Sequence, residues 1–165
     1  MGLQITRIKP NPAGKDRNRY GQTSSSQLAA EWVDFKNDGT GAFDCSQLEL
    51  WHQAFHHGQA PTWDKVMSFK GTLQPGKTVR VHSGSGPDSV IKEEDLRGAD
   101  VHLFTDKDYV WNNKEGDTPA LYNPITKVTL DSASYDPNPP EGEVLVRSGG
   151  KLVPVKTSVP AYSYR

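Results

Sequence analysis

"EWVDFKND", Glu31–Asp38, alternates apolar and polar side chains. A two-residue period puts Val33 and Phe35 on one face and Trp32 and Asp34 on the other, the signature of a half-buried strand. A helix would need apolar residues three and four apart, and no window of eleven residues keeps such a stripe. Outward from this stretch the same pattern recurs at short intervals, each run followed by a turn signal. It is seen in "LQITRI" (Leu3–Ile8) and in "QLELWHQAF" (Gln47–Phe55), where Leu48, Leu50 and Ala54 oppose Trp51 and Phe55. After a Pro75-Gly76 turn come "TVRVH", with Val79 and Val81, and "DVHLF", with Val101 and Leu103. "DYVW", "ALYN" and "KVTLDSASY" complete the set, while "SSQLAAEW" and "DSVIKEEDLRG" have room for one helical turn each.

Seven or more short strands joined by turns predict an all-β fold, an immunoglobulin-like antiparallel β-sandwich, with a closed barrel as the nearest competitor. The 165 residues suit about one domain, and Gly 15 with Pro 12 suits many turns. Near the end, "EVLVRSGGKLVPVK" places Gly149-Gly150 between two alternating runs, which predicts a hairpin with a type I′ turn. In that register Val146 faces Val153 and Val144 faces Val155, a strip of four valines expected to be buried. The proline-rich "DPNPPEG" before it reads as a stiff connector. The division expected is a sandwich over residues 1–135 and a C-terminal extension with a β-hairpin over 136–165, packed on the same domain.

A formal net charge of -1 argues against a protein whose whole surface binds polyanions. The first thirty residues nevertheless carry Arg7, Lys9, Lys15, Arg17 and Arg19 against Asp16 alone, a possible nucleic-acid contact. Cys45 is the only cysteine, so no disulfide can form within the chain. The charge at Arg7 and the proline at Pro10 interrupt any apolar export signal, and no run approaches the ~18 apolar residues of a membrane helix. These features favour a soluble protein, in the cytoplasm rather than exported.

Three stretches could carry chemistry. "VWNNKEGDTPALYN" (Val110–Asn123), with Asp106 and Asp108, gathers acids and amides around Gly116, but a calcium loop started at Asp106 would put Trp111 sixth and Asp117 twelfth, and strands flank it. It reads as a hairpin tip in which Asp117 bonds nearby backbone N–H groups. His52 and His56 would share one face of a helix as in zinc sites, but the pattern around them is a strand, so with His57 they read as edge or exposed residues and no metal is expected. No nucleophile elbow, phosphate loop or facing pair of carboxylates occurs: Glu93, Glu94 and Asp95 are consecutive. The chain therefore reads as a non-enzyme without cofactor. Trp32, Trp51 and Phe55, turned away from the core by the strand period, are a candidate partner or ligand patch, unless the long loop or the terminal hairpin covers them.

The order of "ITRIKPNPAGKD", "EWVDFKND", "LQPGKTVRVHSGSG" and "VHLFTDKDYVWNNKEGDTPALYN" running into "KVTLDSASY" resembles the lamin-tail domain, over about Leu3–Tyr135. "CSQLELWHQAFHHG" and "NPITK" depart from that pattern. The resemblance implies an immunoglobulin-like sandwich acting as a non-enzymatic module that binds proteins, nucleic acid or surfaces. A protein partner is the first expectation, and an accessory role on nucleic acid through the basic segment is the second.

Overall fold

A computed structural model describes residues 2–56 and 58–155. The elements are β1 (Leu3–Lys9), α1 (Ser25–Ala29), β2 (Trp32–Asn37), β3 (Phe43–Asp44), β4 (Glu49–Ala54), β5 (Thr62–Ser68), β6 (Thr72–Leu73), β7 (Thr78–His82), α2 (Glu93–Leu96), β8 (Val101–Phe104), β9 (Ala120–Asn123), β10 (Val128–Ser132), β11 (Leu145–Ser148) and β12 (Lys151–Pro154). Two sheets face each other, one ordered β12-β11-β1-β2-β7-β8 and the other β10-β9-β4-β5, with β3-β6 as a short clasp. The sheets are not closed, so the fold is the sandwich and not the barrel.

The alternation of "EWVDFKND" sets the interior. Val33 and Phe35 from β2 meet Ile5, Ile8, Val79 and Val81 of their own sheet and Leu48, Leu50, Val66 and Leu121 of the other. Phe35 packs edge-on against Phe69, with ring centroids 5.1 Å apart. On β1 a bulge between Ile5 and Arg7 lets Ile5 and Ile8 both point inward although they are three positions apart, an odd spacing. All strand pairs are antiparallel except β7–β8, which is parallel. The chain crosses between those two strands through the turn-rich segment that holds α2.

Several expectations change. "DYVW" is not a strand: Val110 and Trp111 belong to a loop that drops into the core, because the buried Glu31 carboxylate accepts from both of their backbone N–H groups, at 2.8 and 3.3 Å. The segment before Asp117 is accordingly a loop anchored in the core by Val110 and Trp111 rather than a hairpin tip. β5 has no counterpart in the sequence reading. The C-terminal hairpin has the expected register, Val146 against Val153, and its strands join the six-stranded sheet beside β1. Its faces are reversed, however. Leu145 and Leu152 are buried, whereas Val146 and Val153 are half-buried and Val155 is exposed, so the valine strip lies outside. The leucines have the longer reach into the core, and only one face of this edge hairpin meets it. Gly149 has φ +59° and Gly150 has no positive φ, the sign pattern of a type II′ turn rather than I′.

Candidate binding groove on the four-stranded sheet

The outer face of the four-stranded sheet carries a groove of about 520 Å³ lined by Trp51, Trp63, Ala120, Tyr122, Thr129 and Ser132. Strand register explains why these side chains meet. Glu49 pairs with Tyr122, Trp51 with Ala120 and with Lys65, and Gln53 with Trp63, so all of them project from the same face. Ala120 forms the floor, its methyl leaving room between larger neighbours. Trp51 and Tyr122 meet edge to face with centroids 5.8 Å apart. On the other flank Thr129 pairs with Tyr122 and Ser132 with Ala120.

The groove has an uncharged lining. At its margin Glu49 accepts from the Trp51 indole Nε1 at 3.1 Å and pairs with Lys65 at 3.5 Å, so the two nearby charges compensate each other. Trp63 is 48 % exposed, and among the described residues neither its indole N–H nor the Tyr122, Thr129 or Ser132 hydroxyl has a hydrogen-bond partner. The site therefore offers aromatic faces and unengaged donors, the mixture found at ligand and partner sites.

Of the three aromatic residues singled out from the sequence, Trp51 lines this groove. Phe55, just past β4, is half-buried and does not line it. Trp32 lies on the other sheet, faces outward as expected but is covered, 2 % exposed, so it is no patch residue. It is covered by the segment around α2: its indole N–H donates to Asp95 at 2.9 Å, and the Arg80 guanidinium stacks on its ring at 3.6 Å. Trp63 and Tyr122 were missed. Trp63 sits on the unrecognised strand β5, and Tyr122 enters the sequence reading only as part of the strand "ALYN".

Several of the other candidates are engaged within the fold. Arg7 pairs with Asp34 at 3.0 Å and donates to the Gly98 carbonyl; Lys9 is buried against Asp95 at 2.6 Å. Arg17 binds Asp108 at 2.6 Å, an exposed pair whose hydrogen bond holds the guanidinium above its ordinary range and the carboxyl below. Lys15 and Arg19 remain exposed, Arg19 stacked on the Tyr20 ring at 5.0 Å. Three of the five cations are thus held in ion pairs. His52 is not an exposed edge residue: its Nδ1 lies 2.8 Å from the buried Asp117 carboxylate. Asp117 also accepts from the backbone N–H of Asn112 and Thr118, the local bonding expected of it, and from that of Gln53 on β4, 64 residues away. His56 is exposed, His57 lies outside the described residues, and among those residues no group of three or more metal-binding side chains occurs. No helix there is long and apolar enough to cross a membrane.

Two open sheets packed face to face define an immunoglobulin-like β-sandwich. The family model of the lamin tail domain matches residues 2–137, and the chain belongs to that family. A comparison with curated proteins gives no match. The family is an immunoglobulin-like module that is not typically enzymatic.

Proposed function

We propose that this chain is a non-enzymatic interaction module that binds a protein partner through the outer face of its four-stranded sheet. The observation that carries the reading is the row Tyr122, Trp51 and Trp63, which lines a groove, with Trp63 exposed and the other two half-buried among the described residues, on a surface whose strands are fixed by the core beneath. Tryptophan and tyrosine concentrate binding energy because they bury much area with few rotatable bonds. Membership of the lamin tail domain family supports a binding role without naming the partner. Attachment to nucleic acid has less support, since Arg7, Lys9 and Arg17 are engaged in ion pairs.

The test compares partners cross-linked to the wild-type chain in its native cells with those cross-linked to a Trp63→Ala/Tyr122→Ala double variant. Partners lost with the double variant and kept when Lys15 and Arg19 are neutralised support the reading. An unchanged set of proteins overturns it. So does tight binding to generic DNA that falls steeply with salt and needs Lys15 and Arg19, which would establish the nucleic-acid role instead.

A further inference from the structure

Beneath the segment that carries α2, two buried side chains of opposite charge meet in a way that an ion pair alone does not account for. Lys9 ends β1 and pairs in register with Trp32 on β2, so both side chains leave the same outer face, over which Asp95 of α2 is laid. The Lys9 Nζ lies 2.6 Å from Asp95 Oδ1, and the Trp32 indole N–H donates to that same oxygen at 2.9 Å. Lys9 and Asp95 are 6 % and 1 % exposed. Asp95 Oδ2, also buried, has no hydrogen-bond partner among the described residues. The neighbouring carboxylate shows what a buried ion pair on this face otherwise receives: Arg80 donates to both oxygens of Asp34, and Arg7 adds a third bond. A buried ionised oxygen left without a donor costs free energy, because the water it gave up is not replaced.

The arrangement suits amide formation between the two side chains. Asp95 Cγ is one bond of ~1.2 Å beyond Oδ1 and so no more than about 3.8 Å from Nζ, close to the ~3–3.5 Å of reacting atoms held ready. Arg80 Nη1 donates to the Asp95 backbone carbonyl at 3.1 Å and fixes the acid in place. The steps balance without any further reactant. One proton passes from the Lys9 ammonium to the carboxylate and rests on Oδ2, since Oδ1 already takes the indole N–H. The neutral amine then attacks Cγ, forming the Nζ–Cγ bond and moving the carbonyl pair onto Oδ1, where the Trp32 donor stabilises it. As the carbonyl re-forms, the Cγ–Oδ2 bond breaks, and Oδ2 leaves as water with its own proton and a second one from Nζ. The unpartnered atom is the one that departs, both buried charges vanish, and a site that excludes water opposes hydrolysis of the product.

We propose that Lys9 and Asp95 become joined by an isopeptide bond, formed within the chain, that fastens the α2 segment to β1 across 86 residues of sequence. Such a bond restricts the unfolded chain as a disulfide would, in a protein whose single cysteine allows no disulfide within the chain. It lies on the opposite sheet from the proposed binding groove and does not depend on it.

Intact-mass spectrometry of the full chain, incubated folded and then denatured for measurement, tests this. The expected mass is below the sequence value by one water, and a proteolytic digest should contain a branched peptide joining the residues around Lys9 to those around Asp95. Lys9→Arg keeps a cation beside Asp95 but removes the amine, and should have its full sequence mass, as should Asp95→Ala. A full sequence mass for the wild-type chain after prolonged incubation overturns the proposal and leaves a buried ion pair. So does a missing water that the digest assigns elsewhere, such as to an imide at Asp38-Gly39, or one that persists in both variants. The wild-type mass and digest decide the matter even where a variant fails to fold.

Discussion

The two sheets of this sandwich have opposite outer surfaces, although each carries tryptophan there. On the six-stranded sheet the segment around α2 lies over the strands. Beneath it Arg80 makes a bidentate pair with Asp34, at 2.7 and 2.8 Å, donates to the carbonyls of Asp95 and Arg97, and stacks on Trp32. Arg80 is 1 % exposed and Asp34 is fully buried. On the four-stranded sheet nothing among the described residues covers Trp63. An outward tryptophan is thus not itself a sign of a binding site. What distinguishes the two is whether the chain supplies polar groups that fit around the ring, as it does for Trp32, or leaves the indole donor unengaged, as it does for Trp63.

If that contrast is right, the covered face is part of the fold, and breaking it has the largest effect. Arg80→Ala leaves the Asp34 carboxylate without its bidentate partner and should cost about 3–5 kcal/mol, the usual penalty for removing half of a buried ion pair. Urea denaturation measures it through the midpoint at constant slope. A loss below about 1 kcal/mol would mean that the α2 segment lifts off readily and that the covered face is no more structural than the open one.

Much of the covered side was legible in the sequence and much of the open side was not. Alternation in "EWVDFKND" and "TVRVH" is strong because the inward face of each strand centres on apolar side chains, Val33 and Phe35 or Val79 and Val81, and both strands lie where predicted. β5 was invisible for a physical reason. As an edge strand it needs few inward residues, and the bulge opposite Leu50 and Trp51 brings Val66 and Met67 both toward the core, so its period breaks. With β5 went Trp63, and with it the groove. The hairpin shows the complementary lesson. Turn glycines and strand spacing set its register, but the choice between leucines and valines as the buried face depends on which side meets the core, and the pattern within the hairpin is the same for both. Trp32 was legible as outward-facing; that α2 would cover it depends on contacts with Asp95, 63 residues away.

The pH dependence of stability sharpens the comparison, because both strongly shifted side chains that titrate near neutrality flank the covered sheet. Burial pushes the Glu31 carboxyl up to about 8, against the opposing bonds from Ser83, Val110 and Trp111. Burial pushes His82 down to about 4, with its Nδ1 near the Ala29 carbonyl and its Nε2 2.8 Å from His102. Glu31's folded value lies above its unfolded one, so its contribution is complete below about pH 4.5 and is lost as pH rises toward 8. The folded value of His82 lies below its unfolded one, so its contribution is complete above about pH 6.5 and is lost as pH falls toward 4. Between these limits the slopes oppose. Stability should form a plateau near pH 5–6 and drop by about 2 kcal/mol from pH 6.5 to 8, at ~1.4 kcal/mol per pH unit for one proton. In Glu31→Gln the alkaline drop should disappear, as read from denaturation midpoints across that range. A drop that survives in the variant would assign it to other groups.

The smallest stability effect belongs to the open face. Trp63 stands on an edge strand, is 48 % exposed and has no hydrogen-bonded group that its removal would leave unpaired among the described residues. Trp63→Ala should therefore cost about 1 kcal/mol or less, against about 3–5 kcal/mol for Trp32→Ala, where a cavity opens and the Asp95 carboxylate loses a donor. Both are measured in the same denaturant series. Two tryptophans on outer sheet faces would then differ several-fold in what they contribute to folding, with the weaker contributor being the one aimed at solvent. Equal costs would show that Trp63 anchors the sheet as Trp32 does, and the open face would lose its standing as a surface kept for a partner.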